Sequence, residues 1–177
     1  NLSDDYVDLL EAGIDLALRE GRGDLPGMIV KPLAASRILL CASPEYLQRC
    51  GTPQVANDLL SHQALIYEHV VLDRRWRLSL NEQTFTLLPL GRLSSDNYDL
   101  LLAACLAGQG VLDCPHWSVQ PLLASGRLVQ VLPDYQIAPD AFGPLILAMY
   151  PSHRRATRKV QAFIEFIEAY LRARQLA

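Results

Sequence analysis

The strongest constraint in this chain is a helical period near its C-terminal end. Val160, Phe163, Ile164, Ile167 and Leu171 fall on one face of a helix, while Arg158, Lys159, Glu165, Glu168 and Arg172 point away. Each apolar side chain of such a stripe stabilises the fold by roughly 1.5–3 kcal/mol once buried. The stripe therefore needs an apolar layer to cover it, and the rest of the chain offers strands.

Residues 14–19 alternate in strand fashion and end at Glu20-Gly21-Arg22-Gly23. Further strands are expected at 28–33, 37–42, 64–67, 111–114, 127–132 and 145–150. Residues 75–80 and 84–88 flank Asn81-Glu82-Gln83 and read as a hairpin. Ser3-Asp4-Asp5 caps a first helix that Gly13 stops. Pro44 opens a short helix after Ser43, and residues 55–60 form another. Ser94-Ser95-Asp96-Asn97 caps an apolar helix over 98–107, stopped by Gly108. Pro121 is expected to split residues 115–126 into two helical turns, because proline removes an interior hydrogen bond. Strands alternating with helices give an α/β fold with a mainly parallel sheet or sheets.

Charge and cysteine usage exclude several classes. Lys and Arg total 16 against 19 Asp and Glu, a formal net charge of -3. A surface that holds DNA by itself carries a positive excess to neutralise phosphates, so any DNA contact belongs to another part of the protein. Cys41, Cys50, Cys105 and Cys114 contain no C-x-x-C pair, which argues against a disulfide framework and for a reducing cytoplasm. No apolar run approaches the ~20 residues of a membrane span. Asp4, Asp5, Asp8 and Glu11 stand where a signal peptide would be basic, and Asn1 reads as the middle of a longer chain.

Catalytic and cofactor signatures are missing. His62 and His69 are seven apart, and His116 and His153 are isolated, so no metal-ligand spacing arises. No serine or cysteine occupies a recognisable activating frame. Gly21, Gly23 and Gly27 do not match a dinucleotide fingerprint, and Gly108-Gln109-Gly110 reads as a helix stop and tight turn. No cofactor and no enzymatic activity are expected. Two features suggest a ligand site. The helix starting near Asn97 has free amides that suit an anion, although capping by Ser95 or Asp96 explains the same residues. Asp113 is a carboxylate inside the apolar strand Val111-Leu112-Asp113-Cys114, so it is either solvent-facing or paired.

The order of these segments resembles the effector-binding domain of LysR-type transcriptional regulators from near Val7 to near Leu171. The matching stretches are V-D-L-L-E-A-G-I-D-L-A-L-R at 7–19, A-S-P-E-Y-L at 42–47, G-T-P at 51–53, D-L-L-S-H at 58–62 and Trp76. G-R-L-S-S-D-N at 91–97, A-A-C-L-A-G-Q-G-V at 103–111, G-R-L-V-Q-V-L-P-D-Y at 126–135 and V-Q-A-F-I-E-F-I at 160–167 complete the series. The resemblance implies a two-lobed, periplasmic-binding-protein-like α/β sensing domain. Its second lobe would be residues 43–143. Residues 1–42 and 144–177 would form a first lobe that is incomplete in this chain, with crossings near 39–43 and 145–150.

A small-molecule effector would sit between the lobes, with Arg19, Ile66, Tyr67, Asp96, Asn97, Gly110, Val111 and Asp113 as the matching positions. The family usually has an apolar residue in place of Asp113. If Asp113 faces the cleft, it argues for a cationic or hydroxylated effector rather than a simple dicarboxylate. The resemblance further implies a cytoplasmic regulator with no membrane partner, a homodimer of this domain, and a homo-oligomeric full protein that reaches DNA through an N-terminal helix-turn-helix domain. The alternative is a solute-binding protein of the same two-lobed fold.

Overall fold

The computed structural model describes residues 9, 12–21, 23, 26–68, 75–138, 142–152 and 157–173. In chain order the elements begin with β1 (Ala17–Gly21), β2 (Met28–Ala35) and β3 (Ile38–Ala42). Helix α1 (Pro44–Cys50), a 3-10 helix at Ala56–Ser61, β4 (Ala64–Tyr67), β5 (Trp76–Leu80) and β6 (Gln83–Leu87) follow. Then come β7 (Leu93–Ser95), α2 (Tyr98–Leu106), β8 (Val111–Pro115) and α3 (His116–Ala124). The last elements are β9 (Val129–Val131), β10 (Gln136–Ile137), β11 (Leu145–Pro151) and α4 (Arg158–Ala173). The helix expected to open at Ser3-Asp4-Asp5 lies outside the described residues.

The chain divides into two compact units, Asn1–Ser36 with Phe142–Ala177, and Arg37–Ala141. The boundaries differ from the expected 42/43 and 143/144. Strand β3 pairs with β8, β9 and β10, all in the second unit, so it belongs wholly there. Likewise, among the described residues β11 pairs with β1 and β2, both in the first unit.

The first unit is an antiparallel sheet, β1-β11-β2, with α4 on one face. Alternation along β11 sends Ile146, Ala148 and Tyr150 toward α4, and Leu145, Leu147 and Met149 into a second cluster with Leu9. Val160, Ile164, Ile167 and Leu171 meet the sheet as the period requires. Phe163 does not. It is 44% exposed and starts an aromatic row with Phe166 and Tyr170, ring centroids 6.4 and 6.3 Å apart. A three-stranded sheet covers a narrower arc of the helix than its apolar residues span. Ion pairs Lys31–Glu168 and Lys159–Asp15, each 2.6 Å, flank the contact.

The second unit is a sheet of eight strands in the order β6-β5-β10-β3-β8-β4-β7, with β9 also on β3. Among the described residues only β4–β7 and β4–β8 are parallel, against the expectation of a mainly parallel sheet. The reason is local. Asn81 and Glu82 both have positive φ, 47° and 65°, the left-handed pair that closes a two-residue hairpin between β5 and β6. In addition, β8, β9 and β10 all run antiparallel to β3. The two sheet faces carry separate cores. Leu40, Ala42, Ile66, Trp76 and Val111 pack under α1 and the 3-10 helix, where Tyr46, Ala56 and Leu59 are buried. Leu39, Cys41, Leu65, Leu112 and Cys114 pack under α2 and α3 with Leu101, Cys105 and Val119. The buried thiols here are small hydrophobes, and Cys50 is exposed.

Helix α3 corrects the expectation at Pro121. It is one continuous helix with Pro121 inside. The proline forgoes a single hydrogen bond on the exposed side, while buried Val119 and partly buried Leu122 and Leu123 hold the helix on the sheet. Leu93–Ser95, expected as cap and loop, is a strand, and the short β10 carried no sequence signal at all.

Candidate functional site

Strands β4, β7 and β8 are the parallel part of the sheet, so their carboxyl ends share one edge of the second unit. Tyr67 stands opposite Ser95, and Leu65 opposite both Leu93 and Leu112. Two helices begin at that edge. Asn97 caps α2, its Oδ1 accepting from the Leu100 N–H at 3.0 Å, while its own N–H donates to Ser95 Oγ at 3.0 Å. Helix α3 follows β8 directly, with Pro115 at the cap position and no side-chain cap.

Side chains tie the two starts together. Ser118 Oγ donates to the Pro115 carbonyl at 2.8 Å and lies 2.7 Å from the Tyr98 hydroxyl. The single Ser118 proton is thereby committed, so Tyr98 is the donor in that pair. The Tyr98 ring meets Tyr67 edge-on, 6.3 Å between centroids. Burial pushes the Tyr98 phenol well above its ordinary value, so it keeps its proton. His116, half-buried at the first turn of α3, is held below the usual imidazole value by burial and by the Arg37 charge, and is neutral at pH 7. The edge thus presents aromatic walls, hydroxyls, a neutral imidazole and helix N-termini. Among the described residues, no group of three His, Cys, Asp or Glu could hold a metal ion.

The expected site residues scatter. Ile66, Tyr67, Asp96 and Asn97 do lie at this edge, Asp96 exposed and Ile66 buried. Gly110 and Val111 lie at the other end of β8, where Val111 pairs with the first residue of β4. Gly110 serves packing there, because a Cβ would come 2.5 Å from the Gln63 carbonyl oxygen. Asp113 projects to the face opposite Tyr67: its neighbours Leu112 and Cys114 pack with the Tyr67 cluster, and its own carboxylate accepts from the Trp76 indole. It is buried and paired rather than solvent-facing, so it gives no ground for a cationic or hydroxylated ligand at the edge. Arg19 is in the first unit, opposite Leu147 on β11. Tyr98, Ser118 and His116, which the sequence reading did not single out for a site, also lie at this edge. The repeated pattern of a short strand running straight into a helix start, at 95–98 and 115–116, is the signal that marks them.

Parallel strands ending together beneath two helix starts are the arrangement in which open α/β sheets take ligands, at the carboxyl ends of the strands. The chain belongs to the LysR substrate binding domain family, matched over residues 1–172. Its fold is that of LysR regulatory domains: it is similar to the regulatory domain of CrgA from Neisseria meningitidis, with TM-score 0.82 and 28% identity over 96% of this chain and 81% of that one. It is 33% identical over 175 residues to the HTH-type transcriptional regulator DmlR of Escherichia coli (strain K12), covering 96% of this chain and 54% of that protein. The HTH-type transcriptional activator TtdR of the same organism is 32% identical over 174 residues, 98% and 54% respectively. The chain spans about half the length of these curated relatives.

Proposed function

We propose that this chain is the effector-sensing part of a cytoplasmic LysR-type transcriptional regulator, controlling transcription through a helix-turn-helix domain elsewhere in the full-length protein. The observation that carries the reading is the shared edge of β4, β7 and β8, where Tyr67, Asn97, Tyr98, His116 and Ser118 gather. Family membership and relatives that are transcriptional regulators support it over a solute-binding protein or an enzyme. The start of α3, which no side chain caps, offers backbone N–H donors, which favours an effector rich in acceptor oxygens.

The net charge of -3 supports leaving DNA contact to the other domain. The chain alone should leave promoter DNA unshifted in a mobility-shift assay, whereas the full-length regulator should bind it. Tight sequence-dependent binding by the chain alone would contradict the proposal. We further propose a homodimer, supported by the exposed Phe163–Phe166–Tyr170 row, apolar surface of the kind a second copy covers.

A further inference from the structure

Helix α1 holds the far ends of β4 and α2, the elements that carry Tyr67 and Tyr98 to the candidate edge. Its Tyr46 is 2% exposed, and the phenol oxygen accepts from the Gln63 N–H at 2.8 Å, in the turn that opens β4. The Gln63 carbonyl accepts in turn from the Val111 N–H at 2.8 Å, where β8 begins. Arg49, about one turn along α1 from Tyr46, donates to the Gly108 carbonyl beyond the end of α2 and lies 3.8 Å from Glu45. The Tyr46 hydroxyl also lies 3.2 Å from Nδ1 of His62, which is 6% exposed, with the ring centroids 5.7 Å apart. Since the phenol oxygen already accepts from Gln63, its own proton needs an acceptor, and a buried hydroxyl left without one is costly. A bare imidazole nitrogen is a strong acceptor, while the Cys50 sulfur beside the phenol is a weak one.

We propose that Tyr46 donates to His62 Nδ1 and that this hydrogen bond is an acid-sensitive clasp on the start of β4. With His62 neutral and its proton on Nε2, the phenol bridges α1 to both residues of the turn. A further proton, taken up on Nδ1, puts two protons between the same two atoms. The phenol must then turn its own proton away, and the bond that pins the turn is lost. The clasp stands at the opposite end of β4 from Tyr67, operates without any effector and goes beyond the sensing function proposed above.

Burial holds the His62 imidazole below its usual value, and the exposed Asp58 carboxylate pulls the other way. Asp58 itself accepts from the Gln54 and Val55 N–H groups at 2.8 and 3.0 Å. On the α1 side the charged groups are Arg49, its Cζ 5.7 Å from the Tyr46 ring centroid, and Glu45, with the Cys50 thiol next to the phenol. In the unfolded chain His62 titrates near about 6.5. The folded value is lower, so the unfolded chain takes up the proton first as pH falls. The stability that neutral His62 supports is therefore present above about 6.5 and is lost as pH falls from there toward the folded value. His116 acts with the same sign and Asp113 with the opposite one. Both are common to a parent and a His62 variant and cancel in their difference.

Nitrogen-resolved NMR of the histidine rings tests the donor directly and needs no substitution. At pH 7.5 His62 should carry its proton on Nε2 with Nδ1 bare, and a protonated Nδ1 overturns the proposal. Tyr46→Phe removes the phenol proton, so the His62 midpoint should move up toward the usual imidazole value. A midpoint that stays or falls overturns the proposal as well. Urea unfolding of the parent chain and His62→Gln at pH 5.5 and pH 7.5 tests the acid sensitivity, because glutamine can accept the phenol proton and never becomes charged. Acidification should lower the urea midpoint of the parent more than that of the variant, and an equal loss in both contradicts the clasp. If neither variant folds, the parent decides alone. Its Gln63 amide should lose exchange protection with the midpoint of His62, and an amide indifferent to that midpoint overturns the clasp.

Discussion

The Tyr98 hydroxyl donates to Ser118 Oγ across 2.7 Å, and this hydrogen bond joins the first turn of α2 to the first turn of α3. Tyr98→Phe keeps the ring against Tyr67 and removes only the donor. It should cost about 1 kcal/mol of stability, the usual net worth of such a bond. Ser118→Ala should cost about as much, because the buried Tyr98 hydroxyl loses this acceptor. The double variant should cost less than the sum of the two, a non-additivity that thermal unfolding of all four proteins would reveal. Strict additivity would mean that the contact contributes nothing.

Asn97 is the cap of α2, and its side-chain oxygen satisfies the Leu100 N–H. Asn97→Ala should destabilise the chain by roughly 1 kcal/mol, while Asn97→Asp should be nearly neutral, since aspartate caps equally well. Denaturation by guanidinium separates the two. A parity of alanine with asparagine would show that the cap is not needed.

Gly91 permits a close backbone approach between the start of β4 and the segment before β7. A Cβ there would lie 1.8 Å from the Ala64 carbonyl oxygen, while the Ala64 N–H donates to Leu90 O at 2.9 Å. Gly91→Ala should force the two backbones apart at a cost of about 3 kcal/mol, at the upper end for overpacking. Because β4 carries Tyr67, the damage should also show as broadened amide signals at the site edge. A variant as stable as the parent would mean that this segment moves aside freely.

Much of this architecture was legible from residue pattern. The four-residue strand ending at Tyr67, the Gly108 stop and the buried side of α4 follow from alternation, stop chemistry and helical period, whereas the cap of α2, expected within 94–97 at Ser95 or Asp96, is Asn97. What escaped depended on tertiary context. Three residues, Leu93–Ser95, are too short to show alternation, and they are a strand because β4 lies beside them. The antiparallel majority of the sheet rests on where β9 and β10 return to β3, and no local signal encodes that. At the candidate site, the period that made residues 111–114 a strand could not say which of its residues share an end or a face with Tyr67. Gly110 and Val111 lie at the other end of β8, and Asp113 on the other face.

Phe166 is 61% exposed at the centre of the aromatic row on α4. Light scattering should report dimers or larger species for the parent chain. Phe166→Glu should shift it toward monomer while leaving its circular dichroism unchanged. A parent chain that is monomeric at high concentration would remove the row from any interface between copies.

The central claim is that a small effector is read at the shared edge of β4, β7 and β8. Its most direct measurement is an amide-resolved NMR titration of the chain with a panel of small oxygen-rich metabolites. At least one should produce saturable shifts concentrated at Tyr67, Ser95 to Asp99 and His116 to Ser118, and Tyr98→Phe should weaken that binding. Saturable binding whose shifts cluster instead around Gly110 and Val111, at the opposite end of β8, would contradict the account.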